Sequence, residues 1–163
     1  MPFFIFGLEY TVAMKYLAPL LLIILLFPSC AKRKAEKQAE EDDQIIQQYI
    51  IDNNLTATKS ESGLYVVIED PGSGAACSGF SDVTVAYTGY FTSGSVFDQS
   101  DAQGITFNLS GVIQGWHEGI PYFREGGSGK LLIPSAQGYG PNGSGSIPPN
   151  SVLIFDVDLI DVL

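Results

Sequence analysis

Turn-forming residues punctuate the chain from Ser62 onward and cut it into short runs whose apolar side chains alternate. Alternation at period two is the mark of half-buried β-strands. Gly63 to Glu69 is β-rich and closes at Asp70-Pro71-Gly72. Val83, Val85 and Tyr87 alternate with Thr84 and Ala86. Tyr90 to Thr92 and Val96 to Asp98 flank a turn at Ser93-Gly94, and Ile105, Phe107 and Leu109 alternate again. Lys130 to Ile133 stops at Pro134. In the last run Leu153, Phe155, Val157 and Leu159 point one way, with Asp156 and Asp158 toward water. One stretch breaks this rhythm. Gln114 to Glu125 sets Trp116, Ile120 and Phe123 at helical spacing, and Pro121 limits any helix there to a few turns. The pattern predicts an α+β fold, a curved antiparallel sheet wrapped on one short helix.

Composition narrows the functions open to such a domain. The chain has 163 residues with a hydrophobic share of 45%, which is enough for one core and excludes wholesale disorder. Eight Lys+Arg against eighteen Asp+Glu give a net charge of −10, which argues against nucleic acid as a partner because phosphate contacts need a basic face. One histidine and two cysteines do not suffice for a multidentate zinc or haem site, and no cofactor is expected. Neither a Walker nor a dinucleotide glycine pattern occurs. Ser128 and Ser135 sit in no nucleophile elbow, and His117 reads as a surface histidine of the short helix.

The region before Ser62 reads as an address and a lead-in. Leu17 to Phe27 is uncharged and apolar, too short to span a bilayer, which takes about 20 helical residues. It fits the core of a secretory signal over residues 1–29, with Met14-Lys15-Tyr16 as an alternative start. Leu26-Phe27-Pro28-Ser29-Cys30 resembles a bacterial lipobox, although Phe27 and Pro28 depart from the strict pattern. The resemblance implies lipidation at Cys30, membrane attachment and a location in the cell envelope facing the periplasm. A plain cleaved signal with an incidental cysteine is the competing account. Residues 30–43, with no large apolar residue from Ala31 to Asp43, read as a flexible solvated linker. Residues 44–61 read as a helix and a connection. Ile46, Tyr49 and Ile50 form the stripe of a helix from Gln44 to Leu55, capped by Asp42 or Asp43 and ended at Asn53-Asn54, and the stripe is expected to pack on the domain that follows. Cys77 reads as a small, mostly buried thiol.

Six motifs then occur in order. They are Val85-Ala86-Tyr87-Thr88-Gly89, Val96-Phe97-Asp98-Gln99-Ser100, Val112-Ile113-Gln114-Gly115-Trp116, Gly138-Tyr139-Gly140, Ile147-Pro148-Pro149-Asn150 and Leu153-Ile154-Phe155-Asp156-Val157. Over residues 62–163 this pattern resembles the FKBP-type peptidyl-prolyl cis-trans isomerases, in the form of a bacterial lipoprotein. The resemblance implies a half-barrel sheet around the short helix with an apolar pocket between them. Trp116 would form the floor, under a proline ring, with Tyr87, Phe97 and Phe155 as walls and Val112, Ile113, Ile147 and Ile105 completing the lining. Ile105 stands where relatives often carry an aromatic. Asp98 would hydrogen-bond to Tyr87 and act electrostatically on the rotating carbonyl, while the Tyr139 hydroxyl and the Ile113 N–H would hold substrate carbonyls. Asp98, Tyr87 and Tyr139 are thus the implied catalytic residues.

Phe97 and Asp98 are adjacent in sequence, so on a regular strand they would point apart. Both can line one pocket only at a bend or bulge. The glycine-serine run Asn142 to Ser146 before Ile147 is expected to be mobile. Implied ligands are proline-containing polypeptides, with a macrolide inhibitor as a further candidate; the oligomeric state is left open. Two other functions compete: a non-catalytic FKBP-like module that holds peptides, and a structural lipoprotein that docks through the helix around Ile46.

Overall fold

The computed structural model describes the backbone from residue 9 onward and the side chains from residue 31 onward. The signal segment, the alternative start at Met14 and the Cys30 anchor fall outside the residues whose side chains are described. The chain divides into two compact units, residues 1–38 and residues 39–163. Among the described residues no helix is long and apolar enough to cross a membrane.

Helix α1 runs Glu9–Asp52. This corrects the sequence reading, which expected a flexible linker over 30–43 and a helix starting at Gln44. The physical reason lies in the composition of that stretch. Ala, Lys, Glu, Gln and Arg are the strongest helix formers, so a polar run built from them is helical rather than coiled. Lys32 and Glu36 add an i,i+4 ion pair at 3.8 Å. Asp42 and Asp43 therefore lie inside the helix instead of capping it. The helix ends near the expected Asn53-Asn54, where Asn54 takes a left-handed φ of 52°.

The second unit holds a seven-stranded antiparallel sheet. Its strands are β1 (Thr58–Lys59), β2 (Tyr65–Asp70), β3 (Asp82–Tyr90), β4 (Val96–Gln99), β5 (Ile105–Asn108), β6 (Gly127–Ile133) and β7 (Leu153–Val162). The spatial order is β1-β2-β6-β7-β3-β4, with β5 also on β3. Strand β3 thus pairs with β7 on one edge and shares its other edge between β5, at Asp82 to Val85, and β4, at Thr88 to Tyr90. The sequence reading gave two runs here, Val83 to Tyr87 and Tyr90 to Thr92, with Thr88-Gly89 between them. Both residues stay in the strand because each is paired on both sides. Register shifts leave an extra residue on β2, β4 and β7 and mark bulges, the devices that bend and twist a sheet.

Alternation along the strands gives the sheet two apolar faces. Leu64, Val66, Val83, Val85, Leu131, Ile133, Leu153, Val157 and Leu159 bury the inner face. Against it lies the short helix α2 (Gln114–Gly119), followed by a 3₁₀ turn at Ile120–Tyr122. Trp116, Ile120 and Phe123, the expected helical stripe, all belong to this core. Tyr65, Val67, Leu132, Val152 and Ile154 form a second cluster on the outer face, with Ile46 at its centre and Tyr49 and Ile50 beside it. The stripe on α1 packs as expected.

Ile46 is wholly buried there. Trimming one methylene with Ile46→Val is expected to cost about 1 kcal/mol. Urea unfolding followed by far-UV circular dichroism reads this as a lower midpoint at unchanged slope.

Candidate functional site

The inner face does not close completely over α2. A cavity of about 690 Å³ opens beside the helix. The positions named from sequence, Tyr87, Phe97, Asp98, Ile105, Val112, Ile113, Trp116, Tyr139, Ile147 and Phe155, all line it. They come from β3, β4, β5, β7, the start of α2 and the long connection between β6 and β7. The cavity is therefore a product of topology, assembled from segments about 70 residues apart in the chain.

Its floor and walls are aromatic. Trp116 is 5% exposed and meets Tyr87 edge to face, with ring centroids 5.0 Å apart at 89°, and Phe155 likewise at 5.2 Å and 86°. Phe97 stands edge-on to Phe155 at 5.5 Å. Such edge-to-face pairs satisfy the ring quadrupoles and hold each ring in one orientation. Gly89, on β3, makes this packing feasible: a Cβ there would lie 2.7 Å from both the Phe97 and the Phe155 rings. The bend required at Phe97 and Asp98 is present. β3 pairs Gly89 with Asp98 and Tyr90 with Val96, so Phe97 is the extra residue of a bulge. Both neighbouring side chains reach the cavity for that reason.

Asp98 is fixed at the wall by two bonds. Tyr87 Oη donates to its Oδ2 at 2.7 Å, and the Gln99 N–H donates to its Oδ1 at 2.9 Å. Burial, reinforced by the carboxylate, raises the Tyr87 phenol to about 12. A raised folded-state value means the protonated donor is the favoured form, so its contribution is whole below the unfolded tyrosine value near 10 and is lost as pH climbs toward 12. Tyr87 is accordingly expected to stay a donor through pH 9. Ultraviolet difference titration should show a tyrosine transition near 12 that Tyr87→Phe removes, with Tyr90, buried and bonded to Asp156, held higher still.

Two donors on lining residues have no internal partner. Among the described residues, no hydrogen bond engages the Ile113 N–H or the Tyr139 hydroxyl. Trp116 Nε1 is buried and also lacks a partner there. Ile105 is half exposed at the mouth, and Phe107, two residues on, supplies the aromatic contact to Trp116 at 5.4 Å. The sequence reading passed over Phe107 as a site residue, although its alternation with Ile105 was visible. It also missed Gly111, Ser144, Gly145 and Ser146, which line the rim with little or no side chain. The glycine-serine loop, expected to be mobile, is closed by a pair of backbone bonds between Ser144 and Ile147, at 3.0 and 2.8 Å.

His117 and Cys77 take no part in the lining. His117 is half-buried rather than a plain surface residue, because Phe80 lies edge-on to its ring and Nδ1 sits 3.2 Å from Leu109 O. Cys77 packs against the inner core, and burial pushes its thiol upward, away from reactivity.

Comparison with known proteins places this geometry. The family model for FKBP-type peptidyl-prolyl cis-trans isomerases matches residues 76–160. The FKBP-type peptidyl-prolyl cis-trans isomerase FkpA of Aeromonas hydrophila is 42% identical over 135 residues, covering 80% of this chain and 50% of that protein. FkpA of Escherichia coli strain K12 is 39% identical over 139 residues, covering 82% and 51%. The chain thus spans about half the length of these relatives. Among solved structures, the crystal structure of FkpA from Escherichia coli superposes with a TM-score of 0.68 at 34% identity, covering 91% of this chain and 72% of that one. A peptidyl-prolyl cis-trans isomerase from Pseudomonas syringae superposes at 0.65 and 29% identity, covering 78% and 94%.

Proposed function

The chain belongs to the FKBP-type peptidyl-prolyl cis-trans isomerase family, and we propose that it catalyses rotation about X-Pro bonds in exported polypeptides. The observation that carries this reading is the ring-lined cavity with the Tyr87–Asp98 pair fixed at its wall. An X-Pro bond turns slowly because amide resonance sets a barrier of about 18–20 kcal/mol. No covalent bond need form or break, so neither a nucleophile nor a metal is required. What is required is a site that binds the twisted amide better than either planar form.

The lining residues suit that task. Twisting removes amide resonance and lowers the polarity of the bond. A dehydrated surface built from Trp116, Tyr87, Phe97 and Phe155 favours this species over the hydrated planar amide. The unengaged Ile113 N–H and Tyr139 hydroxyl are placed to hold the carbonyls on either side of the rotating bond. The Asp98 carboxylate acts through its field on the carbonyl that swings, with no proton transferred. A macrolide inhibitor would occupy the same cavity.

A protease-free assay on a tetrapeptide X-Pro series tests the proposal with the full chain. Saturable acceleration that a macrolide abolishes is expected. Tight peptide binding without acceleration would replace this reading with that of a non-catalytic binding module.

The proposal extends to location. The lipobox-like run ending at Cys30 supports attachment to a bacterial envelope membrane, facing the periplasm. Acyl chains add about 0.8 kcal/mol per buried CH₂, so a multiply acylated cysteine anchors a chain firmly. Palmitate incorporation that Cys30→Ser eliminates is the expected result; equal labelling of both proteins removes the anchor.

A further inference from the structure

Asp42 is a wholly buried carboxylate on α1. It lies four residues before Ile46, on the same helix face, and both are 0% exposed. An ionised group in such a place costs several kcal/mol unless hydrogen bonds compensate it, and an apolar residue of similar size would serve stability as well. The bonds it makes are specific. Its Oδ2 accepts from the Ser135 N–H at 2.8 Å and from the Ser135 hydroxyl at 2.6 Å.

Ser135 opens the 3₁₀ turn Ser135–Gln137 that follows β6. The turn is held from a second side. Gln137 Nε2 donates to both the carbonyl and the hydroxyl oxygen of Ser62 at 2.8 Å, and the Ser62 hydroxyl in turn reaches Glu118 on α2, the helix that carries Trp116. Within the turn, the Gln137 and Gly138 N–H groups bond to Pro134 O and Ser135 O. Tyr139 comes next, at the cavity rim, with its hydroxyl unengaged.

From this chain of contacts we propose that Asp42 is a positioning residue: by clamping Ser135 it sets the 135–138 turn and thereby the place of the Tyr139 hydroxyl at the cavity. The inference rests on the cavity being the substrate site proposed above. On this account α1 does more than cover the outer face of the sheet, since it also adjusts the inner one.

The test uses the full chain labelled with ring-¹³C tyrosine, with the Tyr139 resonance assigned through Tyr139→Phe. Peptide affinity is read in parallel from quenching of Trp116, the single tryptophan. Asp42→Ala is expected to shift the Tyr139 ring signals and to weaken X-Pro tetrapeptide binding about fivefold. Asp42→Asn keeps an oxygen able to accept from Ser135 and should restore most of both. Because Asp42 acts through Tyr139, Asp42→Ala should add nothing to the loss in Tyr139→Phe. An unmoved Tyr139 signal in folded Asp42→Ala, or losses that sum in the double variant, overturns the proposal. Should Asp42→Ala fail to fold, Ser135→Ala removes only the hydroxyl bond and decides by the same signal. If the wild-type chain shows no isomerase activity, the functional reading fails, yet the Tyr139 resonance still answers the question about Asp42.

Discussion

Asp98→Ala is expected to lower kcat/KM on an X-Pro tetrapeptide tenfold or more, with the unfolding midpoint little changed. Asp98 is exposed, so its removal leaves no cavity in the core. Both carboxylate oxygens are engaged, one by Tyr87 and one by the Gln99 N–H, so the charge has a fixed position at the wall. Hydrogen bonds to charged groups are worth about 1.5–3 kcal/mol, and each 1.36 kcal/mol is tenfold in rate. Asp98→Asn separates the contributions. It keeps the shape and an acceptor for Tyr87 but lacks the charge, so a loss close to that of alanine assigns the effect to electrostatics. Tyr87→Phe removes the donor alone and should cost less than either. Wild-type turnover by Asp98→Ala would leave the carboxylate without a catalytic role.

How much of this site was legible beforehand follows from how its parts are encoded. The strands and the short helix were readable because period two and period 3.6 are local properties of the chain, as with Val83, Val85 and Tyr87 or Trp116, Ile120 and Phe123. Nine of the ten lining positions came from motif order, and Ile105 from the family resemblance, which local pattern alone does not supply: Trp116 taken by itself reads as a core residue. The bulge at Phe97 was deducible as a requirement, since two adjacent side chains cannot share one side of a regular strand. What stayed hidden depended on pairing between distant segments. Asp42 looked like a helix cap, and nothing near it in sequence announces Ser135. The helix through 31–43 was read as spacer because it lacks large apolar residues, whereas its residue types favour helix on backbone grounds alone. The rim at Ser144 to Ser146 went unseen because small side chains leave no chemical mark.

Gly129→Ala should be the most damaging single-atom addition to the fold, costing about 3 kcal/mol, the upper end of the range for overpacking. Gly129 sits on β6 opposite Ile68 of β2 and Val157 of β7, so both of its edges are paired. A Cβ built there would lie 2.0 Å from the carbonyl oxygen of Val67 and 2.9 Å from the Phe123 ring. The first of these is backbone and cannot swing aside as a side-chain tip does. Relief requires β2 to move away from β6, which weakens their ladder, or β6 to move toward β7. Phe123 anchors the segment after α2 in the same core, so the strain reaches the helix beneath the cavity. Thermal unfolding should fall by about 10 °C, given a few degrees per kcal/mol for a domain of this size. Gly111→Ala is the matched control. A Cβ at Gly111 meets nothing within 4 Å, and its backbone is not left-handed, so its midpoint should stay within about 0.5 kcal/mol of wild type. Equal stability in the two variants would mean that β2 and β6 do not approach as closely at Gly129 as their register requires.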